Sequence, residues 1–202
     1  MTAKHRLPEC ITPERAAKVR RVATARQHDL TLVLANIHDP HNVSAVYRSC
    51  DAFGVSTVHL YYTDTAFPVL GRKTSASARK WVETQRHADA GAMVAGLHTQ
   101  GMQVLCTACS EKARPLTDYD FTRPTAIILG NEHRGADPEL QALAHDELYI
   151  PMMGMVQSLN VSVAAAIILY EAWRQRMAKG MYDASSLDDE ALERLVQTWS
   201  AW

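Results

Sequence analysis

Three stretches of the chain carry residue types and spacings that could do chemistry together. The first, Asn36 to Arg48 (NIHDPHNVSAVYR), leaves an apolar run through Asp39-Pro40, a turn signal, and enters a helical pattern at Asn42, a good N-cap. Ser44 and Arg48 share a helix face at i, i+4, so Asn36, Asn42 and Arg48 can converge on one mouth. The second, Leu129 to Gly135 (LGNEHRG), sets polar residues between two glycines, which permits close approach of a ligand to the backbone. The third, Ile150 to Ser162 (IPMMGMVQSLNVS), is an apolar, methionine-rich loop before a helix that opens near Ser158 to Asn160. Such a helix start exposes backbone N–H groups beside polar side chains. Taken one at a time, each stretch also has a plain structural explanation: a cap with a surface arginine, a tight loop, a piece of core.

The elements that must position these stretches alternate. Thr12-Pro13 reads as a cap with proline at the first helical position, opening a basic helix to about Gln27. Strands are expected at Leu30 to Asn36, Val55 to Tyr61, Met102 to Thr107, Pro124 to Gly130 and Glu147 to Ile150. Helices are expected at Asn42 to Phe53, Ala88 to Thr99, Pro138 to His145, Val161 to Lys179 and Leu187 to Trp199, with Tyr62 to Arg79 irregular. This order predicts an α/β fold with a mainly parallel sheet and helices on both faces. Ligands of such sheets sit at the carboxyl ends of the strands, where all three stretches fall.

Composition agrees with a folded chain. Of 202 residues, 47% are hydrophobic and 21% charged, enough apolar residues for a core and too many for disorder. The opening MTAKHRLPEC has no apolar leader and no apolar run reaches ~20 residues, so a cytoplasmic, non-membrane protein is expected. A net charge of -1 hides a basic head and an acidic tail. The head is what a polyanion would meet first. Four cysteines do not make a disulfide framework in a cytosolic chain of this size, and the lone CxxC, Cys106 and Cys109, has no second pair to complete a zinc site, so no metal is expected. The chain has no GxGxxG fingerprint, which removes a dinucleotide oxidoreductase, and no P-loop.

Together the three stretches resemble the sequence motifs of the SpoU branch of the SPOUT RNA 2′-O-ribose methyltransferases. The first motif joins an asparagine to an arginine, as Asn42 and Arg48 do; the second is a strand running into Gly-Asn-Glu; the third is Ile-Pro-Met followed by Ser-Leu-Asn-Val-Ser. The likeness runs from about Arg15 to Tyr182 in the expected order. Within the branch, HDPHNVSA and GMVQSLNVS look most like the enzymes of the TrmH type, which act on guanosine 18 of tRNA.

The resemblance implies a parallel sheet whose C-terminal part threads a trefoil knot, and a homodimer. It implies S-adenosylmethionine bent against Thr107, Gly130, Ile150 and Leu159, and a catalytic set of Arg48, Asn42, Glu132, Ser158 and Asn160. A guanidinium is a poor base. Arg48 therefore either accepts the 2′-hydroxyl proton with help from the RNA phosphate and the sulfonium, or orients phosphate and hydroxyl. The implied tRNA surface comprises Arg15, Lys18, Arg20, Arg21 and Arg26 on the first helix and Arg174 and Arg176 on the last long one; Arg72, Lys73, Arg79 and Lys80 form a second candidate patch, where Arg79-Lys80 departs from the small or neutral residues more usual in the family. The organisation that follows is a basic helical extension at 1–28, the methyltransferase domain at 29–182 and a short acidic helix at 183–202. Leu187, Leu192, Leu195, Val196 and Trp199 of that last helix are expected to pack rather than bind RNA. Two rival readings are the same chemistry on ribosomal RNA or a tRNA wobble nucleotide, and an RNA-binding relative without catalysis.

Overall fold

A computed structural model describes residues 11–64, 66–68, 78–131 and 134–202. In chain order the elements are α1 (Pro13–Thr24), β1 (Gln27–Ala35), α2 (Pro40–Ala52), β2 (Val55–Tyr61), α3 (Ala78–Trp81), β3 (Glu83–His87), α4 (Ala90–Thr99), β4 (Gln103–Thr107), β5 (Arg114–Pro115), β6 (Thr125–Leu129), α5 (Pro138–Leu143), β7 (Asp146–Tyr149), α6 (Val161–Ala178) and α7 (Asp189–Ser200). Among the described residues the strands form one sheet in the order β3-β2-β1-β6-β4-β7-β5, and every pairing is parallel. Late strands are inserted between earlier ones, β6 between β1 and β4 and β7 between β4 and β5.

Strands buried on both faces explain the unbroken apolar runs. Leu30, Leu32 and Leu34 of β1 and Ile127 of β6 face α2 and α6. Their neighbours Val33, Ala35 and Ile128 face α4 and α5 on the other side. A third, smaller cluster joins α1 to α7 through Val19, Ala23, Val196 and Trp199, with Leu192 and Leu195 packed against it. The acidic helix thus packs on the basic one.

The structure departs from the sequence expectations in the unexpected short elements α3 and β5 and at three further places. The first helix ends at Thr24, not near Gln27, because Arg26 and Gln27 are drawn into the sheet. Gln27 N–H donates to Gly54 O at 2.8 Å, and Arg26 Nη1 donates to Val55 O at 2.9 Å. The second helix is capped by Asp39, whose side chain accepts from His41 N–H, with Pro40 at the first helical position; Asn42 is already inside the helix. The third is β3, which lies in a stretch where no strand is expected. It is an edge strand with a mostly exposed, polar sequence (ETQRH), so no apolar period marks it.

Candidate functional site

The carboxyl ends of β4, β6 and β7 open into a cleft of about 890 Å³. Thr107, Gly130, Ile150 and Leu159 all line it, and so does Ser158. Its apolar wall comes from Leu148, Ile150, Leu159 and Val161, while exposed Arg134 and Glu111 stand among its polar residues.

Hydrogen bonds tie the three stretches together beside this cleft. Asn160 caps α6: its Oδ1 accepts from Ser162 N–H at 2.8 Å and from Ser162 Oγ at 2.6 Å. The same side chain reaches across the sequence, its Nδ2 donating to Asn42 Oδ1 at 3.0 Å. Asn131 Nδ2 donates to the backbone oxygen of Asn36 at 2.7 Å, fastening the second stretch to the first. Asn36 is buried in a left-handed conformation, φ 49°, which asparagine tolerates better than most residues. Its Oδ1 accepts from Thr63 N–H at 3.0 Å, and its Nδ2 donates to Asp137 at 3.0 Å. Asn36 is therefore a structural hub for strand ends. The sequence offered no signal for the link made by Asn131.

Arg48 lies exposed on α2, on the same helix as Asn42, and makes no ion pair among the described residues. Ser44, one turn before Arg48, is buried, and its hydroxyl has no partner among the described residues. Glu132 falls outside the described residues, as do Arg72 and Lys73.

Gly130 is required for a reason other than ligand approach. A Cβ on it would lie 2.1 Å from Ala136 N and 2.2 Å from Gly135 C, so only glycine lets the loop fold back on its own strand. The backbone pair between Asn131 and Gly135, 2.8 Å in both directions, closes that loop.

The basic residues divide sharply. Arg15, Lys18 and Arg21 are exposed on α1 without ion pairs among the described residues. Arg20 is exposed but bidentate to Glu193 of α7, at 2.5 and 2.9 Å. Arg174 is exposed and held by Glu171 at 2.7 and 2.8 Å. Arg26 and Arg176, expected on the RNA surface, are buried instead. Arg26 pairs with Asp51, and Arg176 pairs with Asp29 while donating to Phe121 O at 2.8 Å and Gln27 Oε1 at 2.9 Å. A buried guanidinium keeps its charge only when such acceptors surround it. Both side chains fasten the amino end of β1 to its neighbours, and neither is exposed on a surface for RNA, although Arg26 Nε has no partner among the described residues.

The two cysteines of the CxxC also part company. Cys106 is buried, and burial, aided by the charge of Glu147, pushes its thiol up to about 12; Cys109 is exposed on the cleft wall. Among the described residues no His, Cys, Asp and Glu group of three could hold a metal, and no helix is long and apolar enough to cross a membrane.

A parallel α/β sheet with a cleft at its strand ends, lined by the second and third stretches and with the first fastened beside it, defines a SPOUT-type methyltransferase fold. The chain belongs to the SpoU rRNA Methylase family, which matches residues 29–170. A relative from Thermus thermophilus, a tRNA (guanosine(18)-2'-O)-methyltransferase, is 43% identical over 188 residues, spanning 93% of this chain and 96% of that protein. The crystal structure of the A. aeolicus TrmH/SpoU tRNA modifying enzyme shares the fold with a TM-score of 0.87 and 36% identity, covering 93% of this chain and 95% of that one. The SpoU methyltransferase AviRb from Streptomyces viridochromogenes, solved in complex with the cofactor AdoMet, matches with a TM-score of 0.65 and 26% identity over 75% of this chain and 62% of that one.

Proposed function

We propose that this protein transfers a methyl group from S-adenosylmethionine to a ribose 2′-hydroxyl of tRNA, at guanosine 18 of the D-loop, as a cytoplasmic homodimer. The observation that carries this reading is the hydrogen bond from Asn160 to Asn42, which fixes the third stretch against the helix that bears Arg48, beside the cleft. The name of the Thermus relative and the cofactor in the Streptomyces one point the same way.

The cleft residues fit the cofactor. The volume lies within the usual range for small-molecule sites, ~300–1,000 Å³. Leu148, Ile150, Leu159 and Val161 offer apolar walls for an adenine and a thioether chain, and Thr107, Gly130 and Ile150 bring backbone groups to the same walls. Arg134 and Glu111 suit the carboxylate and ammonium of an amino acid. When bound, S-adenosylmethionine supplies the electrophilic methyl group. Arg48 acts on the ribose hydroxyl, either accepting its proton with help from the RNA phosphate or orienting phosphate and hydroxyl, and Asn42 fixes the helix from which Arg48 projects. Asn160 performs two tasks with one side chain, capping α6 and anchoring Asn42. Ser158 completes the pocket, and Glu132 positions groups near the second stretch.

The dimer reading rests on apolar surface. Val163, Ile167 and Tyr170 recur along α6 at helical spacing and are at least 36% exposed, and Met153 and Met155 are almost bare. A stripe of that kind marks an interaction surface. The late insertion of β6 and β7 supports the knotted topology.

The test is methylation of a tRNA transcript by the purified protein, followed by mapping of the 2′-O-methyl mark. A mark at guanosine 18 is expected; a mark elsewhere, or none, would reject the substrate.

A further inference from the structure

A second cavity, of about 390 Å³, lies at the amino ends of β1, β2 and β3, the opposite end of the sheet from the cleft. The two are separated by the length of the strands, on the order of 20 Å. Three of the chain's four tryptophans line it. Trp81, at the end of α3, meets Trp199 of α7 edge-on at 5.2 Å and Trp202 at 5.6 Å. Trp202 is 51% exposed, an expensive position for so large an apolar ring unless something covers it.

The chemistry around these rings is not that of a dry core. Arg79 and Lys80 are exposed on the lining and make no ion pair among the described residues, in contrast to Arg20, Arg174 and Arg194, each of which is held by a glutamate. Glu83 is the one side-chain carboxylate on the lining among the described residues. His28 also lines the cavity, and its Nε2 is buried with no partner among the described residues. Burial, with the charge of Arg26 as a second cause, pulls the pKa of that ring down. One exposed ring, Trp202, set beside the half-buried Trp81 and a cationic rim supply what an unpaired nucleotide needs most: a stack and a phosphate contact.

We propose that this cavity binds an unpaired nucleotide of the RNA substrate, its base on Trp202 and Trp81 and its phosphate on Arg79 and Lys80. The acidic C-terminal helix then does more than pack, since it delivers Trp199 and Trp202 to the site. The inference rests on the reading that RNA is the substrate.

The experiment uses the full-length protein and a fluorescently labelled cytidine hexanucleotide, read by anisotropy, with unlabelled CMP as competitor. Cytidine carries an amino group for Glu83 and is no analogue of the adenine that the cleft is proposed to take. The hexanucleotide is expected to bind, with Kd raised about tenfold in Trp202→Ala and about tenfold in the Arg79→Ala/Lys80→Ala double variant. Trp202→Phe should restore most of the affinity, which a packing role alone would not couple to RNA. In parallel, Trp202→Ala should raise KM for tRNA severalfold while leaving kcat and S-adenosylmethionine binding unchanged. Hexanucleotide affinity that is equal in wild type and both variants would overturn the proposal, as would CMP competing at the hexanucleotide's own Kd, which would mark a free-nucleotide site. The hexanucleotide titration remains readable if no tRNA is methylated, so failure of the site and failure of the enzymatic reading are separable.

Discussion

The basic groups inside the protein and those on its first helix look alike in the sequence and do opposite work. Arg26 and Arg176 lie in the interior, each locked to an aspartate and to backbone oxygens, and they hold β1, β2 and α6 in register. Arg15, Lys18 and Arg21, on a helix a few residues away, project into solvent with no carboxylate partner among the described residues. His59 shows the other way to bury a base: it sits 5% exposed against His87, Nδ1 to Nε2 at 2.9 Å, and remains neutral. The lesson is that a cation's role is set by the acceptors around it, which charge counting along the chain does not see.

The largest effect expected from this comparison is on folding. Arg176→Ala removes the cation and leaves Asp29 and several backbone oxygens without their donor, and should cost about 4 kcal/mol in urea unfolding. A loss below about 1 kcal/mol would mean that the interior arginine is dispensable and the division false.

The next is a pH dependence. Burial, with His87 as a second cause, pulls the His59 pKa from 6.5 down to about 4. The unfolded chain therefore takes up a proton near pH 6.5 that the folded chain refuses until about pH 4. The stabilising contribution is fully present above pH 6.5 and is lost as the pH falls through that window. Between pH 7.5 and pH 5 this amounts to about 2 kcal/mol, and His59→Gln should flatten that part of the stability curve.

On the surface the effects move from folding to binding. Charge reversal at Arg15 and Arg21 should weaken tRNA binding by at least about tenfold and flatten the salt slope by about 2, with unchanged unfolding. A change in unfolding with unchanged affinity would invert the assignment. The smallest effect belongs to the bridge between the two kinds of site. Glu193→Gln releases Arg20 from an exposed pair and should alter thermal stability very little, while strengthening tRNA binding by less than about twofold.

The legibility of the molecule follows the same physics. The three stretches were readable because their chemistry is local, and so were the central strands, whose apolar runs reflect burial on both faces. Edge strand β3 left no trace, because an exposed polar strand has no period to detect. The aspartates that claim Arg26 and Arg176 are distant in sequence, Asp51 by 25 residues and Asp29 by 147, so their burial is a property of the fold alone. Gly130 was singled out correctly as a position that needs glycine, yet the backbone that approaches it is the loop's own. The bond from Asn160 to Asn42 spans 118 residues and has no sequence signal beyond the two residue types.

The central claim of the proposed function is that residues at and beside one cleft divide labour, with the cleft walls holding the methyl donor and Arg48, on the helix fastened beside it, acting on the acceptor. Arg48→Ala separates the two tasks when calorimetric S-adenosylmethionine binding and methyl incorporation into tRNA are measured on the same preparation. The account predicts unchanged donor affinity with methyl transfer abolished. Wild-type transfer by that variant, or loss of donor binding together with activity, would contradict it.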